Sequence, residues 1–96
     1  MQQATYIAPK TETEKKLVKI WSEVLGVDEA TLSVKADFFD LGGGSLKAIS
    51  LTTKIHQSLN IRLMISDLFF NSNLESLARI VDGLLISVEG NFEIEL

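Results

Sequence analysis

The sequence predicts an all-α fold: three longer helices and one short one, with a long connection between the first two. Three observations carry this prediction. Apolar residues recur at helical spacing in three separate stretches. Start and stop residues stand where those helices need them. No pair of alternating segments offers the two partners that a sheet requires. The 96 residues make one small domain plus tails, with room for a modest core but not for a catalytic cleft between domains.

Residues 1–10 read as an extended linker, because Pro9 disfavours helix just before it. Thr11 starts the first helix, with Glu14 completing a capping box. Leu17, Ile20, Trp21 and Val24 fall at i, i+3, i+4 and i+7, one stripe of that helix. Gly26 stops it. From Val27 to Gly44 runs a connection of 18 residues, long for a compact domain. Val27, Leu32, Val34, Phe38, Phe39 and Leu41 supply apolar anchors, so this connection is expected to lie over the helices rather than float free.

The second helix is predicted from Ser45 to Leu59, with Ala48, Leu51, Thr52, Ile55 and Leu59 on its core stripe. After Asn60, Ile61–Ile65 leads to a short helical turn with Ser66 as its expected N-cap and Leu68, Phe69 and Phe70 as apolar contacts. Asn73 caps a last helix whose stripe is Leu74, Leu77, Ala78, Val81, Leu84 and Leu85. From Ser87 on, Phe92, Ile94 and Leu96 alternate with glutamates, a weak strand pattern without a partner. No internal repeat or low-complexity segment interrupts this order.

Composition excludes several functions. Without cysteine there is no disulfide framework and no thiolate metal site, and a reducing compartment is acceptable. A net charge of −4, with acids spread along the chain, argues against nucleic acid as a partner, since phosphate binding needs clustered Lys and Arg. No apolar run approaches the ~20 residues that span a bilayer, and the N-terminus lacks the basic-then-apolar order of a signal peptide. The expectation is a cytoplasmic domain with no membrane partner and no metal.

Chemistry concentrates in Asp37-Phe-Phe-Asp-Leu-Gly-Gly-Gly-Ser-Leu46, which places Ser45 after three glycines and before an amphipathic helix. A phosphate-binding P-loop is excluded because Lys does not follow the last glycine in the required manner. A hydrolase elbow is excluded because no glycine stands two residues after Ser45. The only histidine, His56, lies three turns along the same helix and faces elsewhere, so no triad forms. His56 reads as an exposed helix residue, since one His without cysteine or clustered carboxylates makes a poor metal site. What a helix start does favour is a covalently attached phosphate, which the dipole and free N–H groups stabilise. Ser45 therefore reads either as an ordinary N-cap after a glycine-rich turn or as a residue modified by another enzyme. On a helical projection Leu46, Ile49 and Thr53 fall opposite the core stripe. Scattered surface apolars are common, but their position beside Ser45 marks a docking face.

The same ten residues closely resemble the phosphopantetheine attachment site of peptidyl carrier (thiolation) domains of nonribosomal peptide synthetases. Pro9-Lys-Thr-Glu-Thr-Glu14 is similar to the linker that leads into such domains, and Leu17 through Gly26 to their first helix. Leu68-Phe69 and Leu74-Glu-Ser-Leu-Ala78 resemble their third and fourth helices, so the likeness covers roughly residues 7–86. Two positions depart from the pattern. Gly44 stands where the family usually has His or Asp, and any partner contact made by that side chain is lost. Ser72 stands where Pro is common, which touches the start of the fourth helix.

The resemblance implies a four-helix bundle of acyl-carrier type at residues 11–86, with an N-terminal linker at 1–10 and a C-terminal linker or the start of a next segment at 87–96. It implies a 4'-phosphopantetheine arm on Ser45, in a site formed with Gly43, Gly44 and Leu46. A phosphopantetheinyl transferase would install the arm, an adenylation domain would load it, and a condensation, thioesterase or other downstream domain would unload it. The chain itself would be a non-catalytic carrier, monomeric when excised. The candidate partner surface is Leu46, Ile49 and Thr53 with Met64, Leu68 and Phe69 near the short helix; Met64 and Phe69 read equally well as core. Acyl carriers of fatty-acid or polyketide type share the arm and the bundle, but usually have Asp before the serine and an acidic second helix. This helix carries Lys47, Lys54 and His56 and no acid. An unmodified helical interaction module is the remaining alternative; in that case Ser45→Ala would leave every function intact.

Overall fold

In the computed structural model, which describes residues 6–94 with side chains through residue 85, the chain forms four α-helices. They are α1 (Glu12–Leu25), α2 (Ser45–Leu59), α3 (Ile65–Phe70) and α4 (Leu74–Ile94), with a 3-10 turn at Glu29–Thr31. Helix α1 begins as its sequence dictates. The Thr11 hydroxyl accepts from the Glu14 amide at 3.0 Å, and Glu14 Oε1 accepts from the Thr11 amide at 3.2 Å. It ends at Gly26, whose φ of 72° lies in the left-handed region that a residue with Cβ avoids.

Three amphipathic faces meet in one core. Leu17, Val18, Ile20, Trp21 and Leu25 come from α1, Ala48, Leu51 and Ile55 from α2, and Leu74, Leu77, Ala78 and Val81 from α4. Leu68 of α3 and Ile61 and Leu63 before it close one side. Thr52 and Leu59, read as core from spacing, are only half-buried. At the centre the Trp21 and Phe38 rings meet edge to face, 5.3 Å apart.

The long connection is pinned as expected, and its backbone pairing explains how. Val34 N donates to Ile7 O at 2.9 Å, Glu75 N to Val34 O at 2.9 Å, Leu74 N to Ala36 O at 3.0 Å and Phe38 N to Ser72 O at 2.8 Å. An isolated antiparallel bridge joins Asp37 and Asn73. These bonds satisfy buried amides that no helix serves, while Leu32, Val34 and Phe38 anchor the connection in the core. Leu41 is the exception among the expected anchors, because it remains exposed. Asn73 caps α4 as expected, its Oδ1 accepting from Glu75 N at 3.0 Å and Ser76 N at 3.2 Å.

Two expectations need correction. The N-cap of α3 is Met64, two residues before the expected Ser66. Asp67 takes over the capping, its Oδ2 accepting from the Met64 amide at 3.1 Å. The weak strand pattern near the C-terminus is overruled as well: α4 runs on to Ile94. A lone strand would leave its amides unpaired, whereas a continued helix pairs them internally. Leu96 and residues 1–5 of the expected linker lie outside the described residues.

Candidate attachment site

Asp37 organises the loop before α2. Its Oδ1 accepts from Phe39 N at 2.9 Å and Asp40 N at 3.1 Å, and its Oδ2 accepts from the Ser72 hydroxyl at 2.6 Å. These bonds, the one from Ser72 foremost, hold the Asp37 carboxyl below its ordinary value against the opposing effect of partial burial. The chain then turns tightly: Leu41 N donates to Asp37 O, Gly42 N to Phe39 O and Gly43 N to Phe38 O, at 3.2, 3.2 and 3.0 Å.

The three glycines have different reasons to be there. Gly42 has φ of 98°, a conformation that other residues rarely adopt. Gly43 lies on Phe38: a Cβ there would overlap the Phe38 ring and stand 2.7 Å from the Phe38 carbonyl oxygen. Gly44 is in extended backbone, φ −138°, with open space where a side chain would be. The close approach therefore belongs to Gly43, and Gly44 is free to vary.

Ser45 is the first residue of α2, exposed, with Gly44 at the N-cap contributing no side-chain bond. The first helical bond is from Ala48 N to Gly44 O at 2.7 Å. The amides of Ser45, Leu46 and Lys47 have no partner among the described residues, so the positive end of the α2 dipole opens beside the Ser45 hydroxyl. First-turn acids, which would repel a phosphate, are lacking in α2. His56 lies eleven residues along α2, about 16 Å at helical rise, and is exposed beside Thr52, Thr53, Arg62 and Leu63. It cannot serve as a base for Ser45. No cluster of metal-ligating side chains forms among the described residues.

Most of the expected partner surface is indeed outside the core. Leu46 is 81% exposed, Met64 64% and Phe69 53%, while Ile49 and Thr53 are exposed as well. Leu68 is the correction: it is fully buried, because a short helix with its core side on Leu68 must turn the next two residues outward. Phe70, 86% exposed, is the residue the sequence reading missed. The signal was available, since Leu68, Phe69 and Phe70 cannot all face inward on one helical turn. Phe69 also stacks on Phe39, rings 5.2 Å apart and 3° from parallel, which ties α3 to the glycine loop.

A helical bundle that presents an exposed serine at a helix start behind a fixed glycine turn has the geometry that a carrier domain requires. The chain belongs to the phosphopantetheine attachment site family, whose pattern matches residues 15–81, and it is of the peptidyl carrier type. It is 37% identical over 84 residues to bacitracin synthase 3 of Bacillus licheniformis, covering 88% of this chain and 1% of the synthase. It is 44% identical over 78 residues to cyclochlorotine synthetase of Talaromyces islandicus, covering 81% of this chain and 1% of the synthetase. The chain thus spans about a hundredth of the length of these relatives. Among solved structures it resembles a peptidyl carrier protein described as a prototype for the peptidyl carrier domains of modular peptide synthetases. That match has a TM-score of 0.69 and 35% identity, covering 80% of this chain and 99% of the other. The bundle of acyl-carrier type and a covalent 4'-phosphopantetheine cofactor go with this family. No helix among the described residues is long and apolar enough to cross a membrane.

Proposed function

We propose that Ser45 bears the 4'-phosphopantetheine arm, and that the domain holds an aminoacyl or peptidyl group on it during nonribosomal peptide assembly. The observation that carries this reading is the exposed Ser45 hydroxyl beside three unpartnered amides at the start of α2. Those amides, from Ser45, Leu46 and Lys47, suit the phosphodiester's negative charge, and the open space at Gly44 leaves room for it. In attachment, Ser45 Oγ forms a bond to the pantetheine-side phosphorus of coenzyme A and the pyrophosphate linkage breaks. Adenosine 3',5'-bisphosphate leaves, and the serine proton passes to a base on the transferase, since His56 is out of reach. The arm supplies a terminal thiol on which the acyl group rides as a thioester.

The rest of the chain presents the site. Gly42 and Gly43 fix the turn, Asp37 holds its start, and Leu46, Ile49, Thr53, Met64, Phe69 and Phe70 form the apolar surroundings that partners would meet. A phosphopantetheinyl transferase, an adenylation domain and a downstream condensation or thioesterase domain are the partners this reading requires. A solved complex of the transferase Sfp with coenzyme A and a peptidyl carrier protein, whose match here has a TM-score of 0.76, supports the first of these. The reading implies a cytoplasmic, non-catalytic domain, monomeric when excised.

The test is intact-protein mass after incubation with a broad-specificity phosphopantetheinyl transferase and coenzyme A. Wild type is expected to gain one phosphopantetheinyl group and Ser45→Ala none. A folded wild type that gains no mass overturns the reading.

A further inference from the structure

Ser72 joins the α3–α4 junction to the glycine loop through two bonds. Its hydroxyl donates to Asp37 Oδ2 at 2.6 Å, and its carbonyl accepts from Phe38 N at 2.8 Å. The other Asp37 oxygen is committed to the amides of Phe39 and Asp40. Phe38 in turn fixes Gly43, whose amide donates to Phe38 O at 3.0 Å and whose missing Cβ makes room for the Phe38 ring. Gly43 stands two residues before Ser45. Hydrogen bonds and packing therefore link Ser72 through Asp37 and Phe38 to Gly43, from which the backbone leads to Ser45.

We propose that Ser72 is a positioning residue for the modification of Ser45: its hydroxyl holds Asp37, and so the pitch of the loop that presents the serine. The proposal rests on Ser45 being the attachment residue. The hydroxyl lends some stability through Asp37, but other bonds hold the bundle closed without it. Asn73 caps α4 independently, and the Leu74 and Glu75 amides bond to Ala36 and Val34 whatever stands at position 72. Loss of the hydroxyl lets the loop sample other pitches while the bundle stays closed. Only the fraction of molecules with the right pitch then docks productively, which raises the apparent dissociation constant by the inverse of that fraction.

The experiment is steady-state transfer from coenzyme A with the carrier as varied substrate, for wild type and for Ser72→Ala, Ser72→Val and Ser72→Thr. Valine and threonine have the same shape and differ in the hydroxyl, so this pair separates the hydrogen bond from packing. Loss of one hydrogen bond of ordinary net strength at this half-buried position corresponds to a rise in carrier KM of roughly three- to tenfold, with kcat kept. Ser72→Ala and Ser72→Val are expected to show that rise, and Ser72→Thr to restore the wild-type value. Amide hydrogen exchange at Phe39, Asp40 and Gly43 is expected to quicken in Ser72→Val while exchange within α1 does not. Equal KM and equal exchange in Ser72→Val and Ser72→Thr overturn this proposal alone. A folded wild type that takes up no mass overturns the attachment reading, and this proposal with it.

Discussion

Gly43 and Gly44 are neighbours with opposite tolerances, and the difference comes from where a single carbon atom would go. At Gly43 it meets the Phe38 ring and carbonyl, so Gly43→Ala must push the loop off the core. Overpacking of this kind costs about 1–3 kcal/mol, which a urea midpoint will show. At Gly44 a side chain enters open space from extended backbone, and the position is the N-cap of α2. Gly44→Asp is therefore expected to hold or raise stability by a few tenths of a kcal/mol, because its carboxylate can accept from a first-turn amide. The same urea series measures both variants, and equal losses would contradict the argument. The family resemblance marks Gly44 as the position that takes a side chain, but the residues alone do not say why Gly43 cannot. The difference depends on Phe38 folding back under the turn.

Among the elements, α4 depends most on its first residue boundary. Asn73 caps two of its amides with Oδ1, while Nδ2 donates to Lys35 O at 2.9 Å across the loop. Asn73→Ala removes both functions, and an expected loss of about 1–2 kcal/mol will appear in thermal or urea unfolding. This cap was legible in the sequence, as were the capping box of α1, its Gly26 stop and the start of α2, because each is a local signal tied to backbone amides nearby. The buried stripes were legible for the same reason, since helical period is written in consecutive residues. Two readings failed within α3, where neighbouring candidates compete for one turn, and one contact was hidden by distance. Ser66 lost the α3 cap to Asp67, which reaches the Met64 amide. Leu68 took the single inward position of a six-residue helix and left Phe70 outside. The Ser72–Asp37 bond spans 35 residues, and no local pattern announces it.

Over the whole molecule, electrostatics are mostly a matter of the surface. The ion pairs Lys15–Glu12 and Lys54–Glu23, on exposed side chains, and Arg79–Glu75, with a half-buried Glu75, stand at 3.8–3.9 Å, and such long pairs add little. Asp37 differs because hydrogen bonds from a hydroxyl and two amides, rather than a cation, hold its carboxylate. Its value is lowered from 3.8, chiefly by the Ser72 hydroxyl, so the stability it lends is complete above that unfolded value and fades as pH falls through the lower folded one. Urea midpoints measured between about pH 5 and pH 2 should fall more for wild type than for Asp37→Asn. Parallel curves would show that the carboxylate charge does not matter to the fold. The 13 acidic side chains titrate in the same region, so the comparison with the variant is what isolates Asp37.

The edge-to-face contact of Trp21 with Phe38 has one more consequence. The chain has a single tryptophan, and it lies against the residue on which Gly43 rests. Its indole N–H is buried without a hydrogen-bond partner, so any movement of Phe38 that admits water changes the ring's surroundings sharply. The domain thus contains its own optical probe: emission wavelength and near-ultraviolet dichroism of the isolated domain report on the loop beneath Ser45 in unlabelled protein.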